Sequence, residues 1–413
     1  MGVAMSDPLF CSRLFSGLAC VALLSGACLQ SATAQYAQTN LTSNLPGLAN
    51  NLDPFLVNPT GLAFSPTSPI WVANQGSDTA TLYSGQGISQ PNPTNPLVVS
   101  VTGPTGAVFN PNSSLSDPAF LINDGTRSAP SLFLFATTNG QIQGWNPSVG
   151  PQTPPLGGTQ TETGFSSPTP GALYTGLAVA TTLNQANLPA PFLYATDFHN
   201  GKIDVIGASF APATLAGNFT DPNLPAGYAP FNIQTLDGKL FVSYAKQDAG
   251  GTNPVPGAGN GFIDVFNLNG TPGLANSNVR LISNGPLNEP WGMAVAPSTF
   301  GQFAGDLLVG NHGDGTIDAF DPITGMFLGI LKDGQGNPLV NAALWALVFD
   351  PGAPGSSDPN ALFFSSGPNG PFGVAGLFGE ISPSPTPLPA ALPLFATGLS
   401  VLGLLGWRRN RRE

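Results

Sequence analysis

The side chains best suited to hold a metal ion stand just before several apolar segments of the chain. Glu289 precedes one such segment, and Asn58, Asp117 and Asn288 occupy comparable places near the starts of others. Carboxylate and amide oxygens are the ligands that Ca²⁺ prefers. If these segments start at one end of a common channel, the four residues are candidate metal ligands and Ca²⁺ is the candidate cofactor. Asp-Pro and Asn-Pro pairs also form ordinary turns, and that alternative stays open.

The chain has two histidines, His199 and His312, each in a turn between two predicted strands. Asp197 and Asp314 lie nearby in the sequence, so each imidazole could serve as a metal ligand or an acid–base group. Turns of this kind usually lie at the rim of a sheet, and we therefore expect two exposed turn histidines. The sequence contains no Gly-x-Ser-x-Gly elbow for a serine hydrolase. We assign no catalytic residue.

The segment from Glu289 to Leu331 predicts the elements that must position these groups. It reads as four short strands separated by turns that include Asp314-Gly315 and Asp321–Gly325. Asp-Gly and Asn-Gly pairs between alternating apolar and polar residues are strong hairpin signals. A single four-stranded sheet of this length cannot bury both of its faces, so it requires copies of itself.

Six copies are present. The residues we take as equivalent in their first strands are separated by 59, 56, 56, 60 and 54 positions: Gly61, Phe120, Gly176, Asn232, Gly292 and Ala346. Repeats of this size are typical of propellers once loop insertions are allowed for. We predict an all-β, six-bladed β-propeller with four-stranded blades, in which Tyr36–Leu41 completes the last blade.

A short turn signature precedes the third strand of four copies. It contains Asn or Asp followed by glycine, and the glycines are Gly140, Gly201, Gly261 and Gly315. We predict positive φ angles at these four positions, because a residue without a Cβ adopts them at no steric cost.

The termini differ from the repeats. Residues 1–34 resemble a secretory signal peptide, with Arg13 before an apolar stretch and the small-residue site Ala32-Thr-Ala34. All three cysteines lie in this segment, so the predicted propeller, residues 35–382, contains no thiol. A lipoprotein signal at Cys28 is the less favoured alternative, since Ser25 stands where an aliphatic residue is usual.

The C-terminal region predicts a membrane anchor. Residues 383–389 form a proline-rich spacer, and residues 390–413 form the tail. Its 18-residue run Ala390–Trp407 carries no charge and reaches the length of a transmembrane helix. Trp407 would lie at the interface. The stop-transfer residues that would stay in the cytoplasm are Arg408, Arg409, Arg411 and Arg412.

This tail resembles the PEP-CTERM sorting signal, which joins a proline-containing motif, an apolar helix and a basic cluster. The matching motif is Pro387, Leu388, Pro389 and Ala390, without the glutamate that the family carries between its prolines. The resemblance implies an exosortase as processing partner in a Gram-negative, exopolysaccharide-producing bacterium. It also implies export across the inner membrane, transient or stable anchoring there, and then release to the cell surface or beyond.

The body resembles NHL-type propellers. Their strand motifs appear here as Gly176–Val179, Leu193–Asp197 and Lys202–Ile206. More narrowly, Tyr36–Asn44, Asp53–Gly61 and Trp71–Asn74 resemble an uncharacterised bacterial family that joins such a propeller to this sorting tail. Trp is common in that family where Thr60 stands here, and Trp291 keeps it in the fifth copy. The resemblance implies no known activity.

Composition narrows the classes of partner. Residues 35–382 carry six basic and twenty acidic side chains, a net charge of −14. Such a surface repels the phosphates of nucleic acids. We therefore predict an exported binding or matrix-associated protein of the cell envelope, with exopolysaccharide or envelope proteins as partners. The alternative is a metal-dependent hydrolase or lactonase that uses the central channel. Three or more carboxylate or Asn oxygens meeting in the channel would favour the enzyme, and an apolar or glycine-lined channel would favour binding.

Overall fold

The computed structural model describes residues 35–384, apart from 115–117, 155, 350–351, 353–357, 359 and 369–374, together with Trp407. Ala34–Pro385 forms one compact unit. The predicted signal peptide and the sorting tail from Pro387 onward lie outside the described residues, except for Trp407. None of the helices in the described part has the length and apolarity that a membrane crossing requires.

The described residues contain 28 strands and three one-turn 3₁₀ helices. The strands of the first half are β1 (Tyr36–Ser43), β2 (Asn51–Leu52), β3 (Pro59–Ala63), β4 (Ile70–Asn74), β5 (Thr79–Tyr83), β6 (Val98–Ser100), β7 (Pro104–Phe109), β8 (Leu121–Asn123), β9 (Ser128–Pro130), β10 (Phe133–Thr137), β11 (Gln141–Trp145), β12 (Gln152–Thr153), β13 (Gly157–Gly158) and β14 (Glu162–Ser166). Those of the second half are β15 (Tyr174–Leu183), β16 (Pro189–Asp197), β17 (Lys202–Gly207), β18 (Tyr228–Leu236), β19 (Lys239–Lys246), β20 (Gly261–Asn267), β21 (Arg280–Ser283), β22 (Pro290–Val295), β23 (Leu307–Asn311), β24 (Ile317–Phe320), β25 (Phe327–Ile330), β26 (Leu344–Phe349), β27 (Leu362–Ser366) and β28 (Leu377–Pro383). The 3₁₀ helices are η1 (Gln75–Ser77), η2 (Ala275–Ser277) and η3 (Gly301–Phe303).

These strands form six antiparallel blades. Blades one to five are β3-β4-β5-β6, β7-β10-β11-β14, β15-β16-β17, β18-β19-β20-β21 and β22-β23-β24-β25, and blade six is β26-β27-β28-β1 with β2 added outside. The first strand of each blade contacts the first strand of the next, and β26 contacts β3. The ring is therefore closed, and the prediction of a six-bladed all-β propeller is confirmed.

The inner two strands of each blade are buried on both faces, which is why their sequences are nearly continuous apolar runs. All five residues of β23 and all five of β27 are buried, for example. Blade-to-blade packing relies on aromatic side chains. Between blades one and two, the ring of Trp71 lies 4.5 Å from Phe133 and 4.6 Å from Trp145. Such rings bury large apolar areas, and this burial holds adjacent blades together.

The chain closes the ring as predicted. β1 pairs antiparallel with β28, from Tyr36 opposite Pro383 to Ser43 opposite Leu377. Strands from the two ends of the propeller thus share one sheet. β28 ends at Pro383, so the first residue of the predicted spacer belongs to the propeller.

The predicted first strand of blade two is wrong. The inner strand is Pro104–Phe109, which repeats the Pro-Thr-Gly start of Pro59–Ala63. Phe120 instead has a φ of 61° and precedes the small hairpin of β8 and β9. Even spacing of the repeats suggested the wrong segment, because blade two has a short connection before it and a long insertion inside it.

Blade three departs from the expected four strands. Its sheet contains β15, β16 and β17. Five of the six residues of β17 are only half-buried, all except Ile206, whereas β20 at the same place in blade four is buried over six of its seven residues.

Three of the four predicted turn glycines have positive φ: Gly140 at 67°, Gly201 at 65° and Gly315 at 77°. The prediction for Gly261 is wrong, since this residue is the first of β20. Blade four has a longer loop, in which Gly259 takes the positive φ of 83°. Gly261 is required for another reason: a Cβ there would lie 2.6 Å from the Pro290 ring of blade five.

Candidate functional site

Six equivalent residue pairs surround one end of the central channel, which we call the channel mouth. In five of the pairs, the residue after the second strand of a blade lies opposite the residue before the first strand, and in blade four the equivalent pair lies within the longer strands β18 and β19. The pairs are Asn58–Gln75, Gly103–Thr138, Leu173–Phe198, Ala229–Ala245, Glu289–His312 and Ala343–Gly367. In five of them the backbone N–H of the second residue donates to the carbonyl of the first, as from His312 to Glu289 over 3.0 Å.

The first residue of the pair turns the chain into the inner strand. It has positive φ in four blades, with 43° at Asn58, 54° at Gly103, 54° at Glu289 and 49° at Ala343. A β-branched or bulky residue would be strained in this conformation. The backbone of Glu289 is therefore set by the blade architecture as well as by its side-chain contacts.

The residue two places after the first member of each pair narrows the channel just inside the mouth. Three of these residues are threonines and three are aromatic: Thr60, Thr105, Thr175, Phe231, Trp291 and Trp345. The structure thus places Thr60 and Trp291 at equivalent positions, as the sequence comparison within the chain predicted. The Thr60 hydroxyl donates to the Thr105 carbonyl over 2.9 Å, and the Trp291 indole N–H donates to the Thr175 carbonyl over 3.1 Å. The indole of blade five therefore reaches across to blade three.

Glycines line the next level of the channel in blades one, two, three and five. A Cβ on Gly61 would lie 2.4 Å from the Thr105 carbonyl oxygen, and a Cβ on Gly106 would lie 2.4 Å from the Leu177 nitrogen. The inner strands approach too closely for larger residues at these points. An apolar or glycine-lined channel was the feature expected of a binding protein, and this channel is lined by glycines and aromatic rings at these two levels.

Trp345 occupies the mouth between two polar pairs. Its half-buried indole donates from Nε1 to Asn58 Oδ1 over 3.3 Å, and Asn58 in turn donates to Gln75 Oε1 over 2.6 Å. On its other side, the Trp345 ring centroid lies 4.1 Å from that of His312. An aromatic platform flanked by amide and imidazole groups combines an apolar face with hydrogen-bonding partners.

Glu289 and His312 form a buried side-chain pair. Glu289 Oε2 lies 2.8 Å from His312 Nδ1, and the two residues are 2% and 4% exposed. The other two polar atoms, Glu289 Oε1 and His312 Nε2, are buried and have no hydrogen-bond partner among the residues that the structure describes. The edge of Phe231 faces the imidazole at a centroid distance of 6.1 Å.

A polar chain behind His312 fixes the turn that carries it. The backbone N–H of Asn288 donates to Asn311 Oδ1 over 2.9 Å, and Asn311 Nδ2 donates to Asp318 Oδ2 over 2.7 Å. Burial raises the pKa of Asp318 from 3.8 to about 6, against the lowering effect of the Asn311 bond. Burial thus disfavours the charged form of the Asp318 carboxyl group, and the hydrogen bond from Asn311 compensates for only part of this cost.

The predicted metal candidates separate in the structure. Asn58 and Glu289 both lie at the channel mouth. Asn288 points away into the turn, where it accepts from the Gly257 N–H over 2.7 Å and donates to Asp314 Oδ2 over 3.1 Å. Asp117 lies outside the described residues. Among the residues that the structure describes, no group of three or more His, Cys, Asp or Glu side chains is placed to hold a metal ion.

The prediction of two exposed turn histidines is wrong for His312. His312 directly follows β23 and therefore occupies the mouth pair, whereas His199 lies one position further along its turn, after Phe198. His199 is half-buried, with Nδ1 3.3 Å from the Gly251 carbonyl oxygen. A shift of one residue in the same turn thus separates a mouth residue from a rim residue.

Sequence reasoning missed Trp345, Gln75 and Phe231. Trp345 and Phe231 could have been found from the sequence. They directly precede Ala346 and Asn232, which are aligned with Gly292, so they align with Trp291. Gln75 is the blade-one equivalent of His312. Blade one lacks the Asn-Gly or Asp-Gly turn before its third strand, and without it the two residues could not be aligned from the sequence.

No family model matches the chain. Among solved structures, it is similar to a streptogramin B lyase, with 12% identity, a TM-score of 0.42, and coverage of 84% of this chain and 97% of that one. It is also similar to a glucose dehydrogenase, with 13% identity, a TM-score of 0.45, and coverage of 84% and 100%. At these values the similarity carries no argument about activity.

Two relatives come from Acanthamoeba polyphaga mimivirus. "Uncharacterized protein R648" is 33% identical over 340 residues, which cover 79% of this chain and 75% of that protein. "Uncharacterized protein L690" is 32% identical over 347 residues, which cover 81% and 83%. The matched lengths take in most of the propeller. The chain therefore belongs to the same protein family as these two mimivirus proteins.

Proposed function

We propose that the protein is a binding propeller whose channel mouth takes a saccharide ring against Trp345. The observation that carries the proposal is the half-buried Trp345 indole between the Asn58–Gln75 pair and the imidazole of His312. Sugar rings have apolar C–H faces that pack on an indole and hydroxyl groups that bond to amides and imidazoles. Phe231 and Trp291 extend the apolar surface beneath it.

The charge of the protein favours a neutral saccharide. Residues 35–382 carry a net charge of −14, and Glu289 lies at the mouth itself. Anionic polysaccharides would be repelled by the field of such a molecule. The end or a loop of an uncharged polysaccharide chain would meet no such electrostatic repulsion.

Titration of the purified propeller with a panel of neutral and anionic oligosaccharides tests this, with tryptophan fluorescence as the readout. We expect a neutral member to change the emission, and Trp345→Phe to abolish that change. Trp145→Phe is the matched control, because Trp145 is buried between blades one and two, away from the mouth. A response that survives Trp345→Phe, or binding of anionic members alone, would contradict the proposed site.

We also propose the cellular setting that the tail resemblance implies. In this proposal the chain is exported across the inner membrane and anchored by residues 390–407. An exosortase then processes it at or near Pro387–Ala390, and the propeller acts among exopolysaccharide or envelope proteins. The relatives named above are viral, so the support for this setting is the tail alone.

Intact-mass measurement of the mature protein from an exosortase-positive host tests the sorting proposal. We expect a product that lacks most of residues 390–413, and incomplete processing when Arg408–Arg412 are deleted. If the full tail remains in a host that processes other such tails, a plain membrane anchor replaces the sorting assignment.

A further inference from the structure

The two polar pairs beside Trp345 differ in how well their hydrogen bonds are satisfied. Asn58 donates to Gln75 and accepts from Trp345, and neither residue has a buried polar atom without a partner. The equivalent pair in blade five leaves both Glu289 Oε1 and His312 Nε2 unpartnered. Leaving such atoms buried costs about 1–3 kcal/mol each, so two of them on one contacting pair call for an explanation.

The geometry defines which atom of His312 is available. An ionised carboxylate only accepts hydrogen bonds, and with Glu289 in that form the 2.8 Å contact assigns the proton to His312 Nδ1. In the neutral imidazole, Nε2 then carries the lone pair and accepts a hydrogen bond. The ring orientation is held by the carboxylate, as in other buried carboxylate–histidine pairs.

Two aromatic rings pack against the imidazole, and they differ in burial. Phe231 is 1% exposed and packs in the central core, so it stays in place. Trp345 is half-buried, and the one side-chain hydrogen bond that it makes within the described part of the chain, to Asn58, is 3.3 Å long, beyond the usual range for an N–H donor. Rotation of this indole about χ1 would uncover the imidazole face against which it packs.

We propose that Glu289 and His312 form an inner subsite beneath Trp345, in which His312 Nε2 accepts a hydrogen bond from a ligand O–H group once the indole turns aside. The identity of the ligand as a saccharide rests on the proposed function. The accessibility of the subsite does not rest on it. The pair supplies one fixed acceptor, His312 Nε2. In its turned position, the Trp345 indole packs against the ring of the same ligand.

Carbethoxylation with diethyl pyrocarbonate tests accessibility, because the reagent attacks unprotonated imidazole nitrogens and the chain contains two histidines. Peptide mass mapping follows each site separately. We expect His312 to react slowly in the native protein and at least tenfold faster in Trp345→Ala, while the rate at His199 stays unchanged. The His199 rate also reports whether the variant is folded, and Trp345→Phe is a second, milder variant.

The subsite would be overturned if His312 stays unreactive in both Trp345 variants while His199 reacts normally. In that case the pair is sealed and a buried water satisfies Nε2. Equal acceleration at both histidines in Trp345→Ala would indicate unfolding, and Trp345→Phe then decides: acceleration confined to His312 supports the subsite, and none overturns it.

His312→Asn tests the ligand contact. The Asn side-chain N–H group replaces Nδ1–H and keeps a donor for Glu289, but nothing replaces Nε2. We expect oligosaccharide affinity to fall about tenfold, the loss typical of one buried hydrogen bond. Full affinity in His312→Asn together with loss in Trp345→Phe would overturn the inner subsite and leave the proposed function intact. If no oligosaccharide binds but His312 reacts as expected, the saccharide proposal fails and the subsite stands.

Discussion

Asp318 shows how a single buried carboxylate supports the channel mouth at a cost in stability. It accepts from Asn311, which holds the turn that carries His312, yet its Oδ1 has no partner. Asp264 stands at the same position of the third strand in blade four, and burial raises its pKa to about 6 against the lowering effect of Arg280. The repeated position thus places acids where desolvation disfavours their charge.

The raised pKa predicts a pH-dependent contribution to stability. Because the pKa of Asp318 is about 6 in the folded state and 3.8 is its ordinary value, the folded state binds the proton more tightly. The favourable contribution is complete below about pH 4 and is lost as pH rises through about 6. We expect Asp318→Asn to remove this slope and to be more stable than the native protein at pH 7, by on the order of 3 kcal/mol.

Urea unfolding of both proteins between pH 4 and pH 7 measures the difference. Asp321→Asn is the control, because hydrogen bonds from Thr324 lower the pKa of Asp321 and its contribution is lost as pH falls. Its removal should leave the slope through about pH 6 unchanged, because a lowered pKa confines its contribution to the range near and below about pH 4. A native slope retained in Asp318→Asn would show that Asp318 is not the group that titrates.

Two turn glycines separate the effect of backbone conformation from that of packing. Gly201 and Gly315 both have positive φ. A Cβ on Gly201 meets nothing within 4 Å, whereas a Cβ on Gly315 would lie 2.3 Å from the Asn341 carbonyl oxygen. We expect Gly201→Ala to lower the free energy of unfolding by about 1 kcal/mol, the cost of a left-handed residue.

Gly315→Ala should cost clearly more than Gly201→Ala, because the steric overlap adds to the same backbone cost. Equilibrium denaturation of the two variants checks this. Equal losses would mean that the turn at Gly315 moves away from Asn341 freely.

At the level of elements, β1 is the strand that joins the beginning of the propeller to its end. Its first residue, Tyr36, packs against Phe300 with ring centroids 4.9 Å apart, and its hydroxyl donates to the Phe300 carbonyl over 3.1 Å. Tyr36 therefore ties the closing strand of blade six to the loop before β23 of blade five.

Substitution of Tyr36 separates ring packing from its hydrogen bond. Tyr36→Ala should lower the free energy of unfolding by about 3–5 kcal/mol, as for other large aromatic truncations. Tyr36→Phe keeps the ring and should cost about 1 kcal/mol. Thermal unfolding of both variants measures this, and similar losses in the two would show that the hydroxyl rather than the ring secures β1.

For the whole molecule, closure by β1 means that the ring behaves as one unit. Without residues 35–44, β28 would become an unpaired edge, and exposed edges favour aggregation. We expect this truncation to lower the melting temperature and to promote association, and a synthetic peptide of residues 35–44 to restore the native value. Removal of residues 385–413 is the control, since β28 ends at Pro383. A truncated chain that melts like the native protein would contradict closure by β1.

The repeat architecture follows from the sequence alone. Short apolar strands recur because each blade must bury both faces against its neighbours, and local turn chemistry marks three of the four glycines correctly. The closing strand was also predictable. The segment Tyr36–Leu41 precedes the first complete blade, so it had to pair with the last blade to close the ring. Blade two was missed, since an irregular insertion defeats an argument from even spacing.

The channel mouth was decided by tertiary structure. Asn58 and Glu289 could be named from the sequence, but their partners Gln75 and His312 depend on a turn whose register shifts by one residue between blades. Trp345 acquires its place from the ring closure that brings blades five, six and one together. Convergence of side chains from separate blades is a property of the closed ring, and spacing along a single chain does not encode which side chains meet across it.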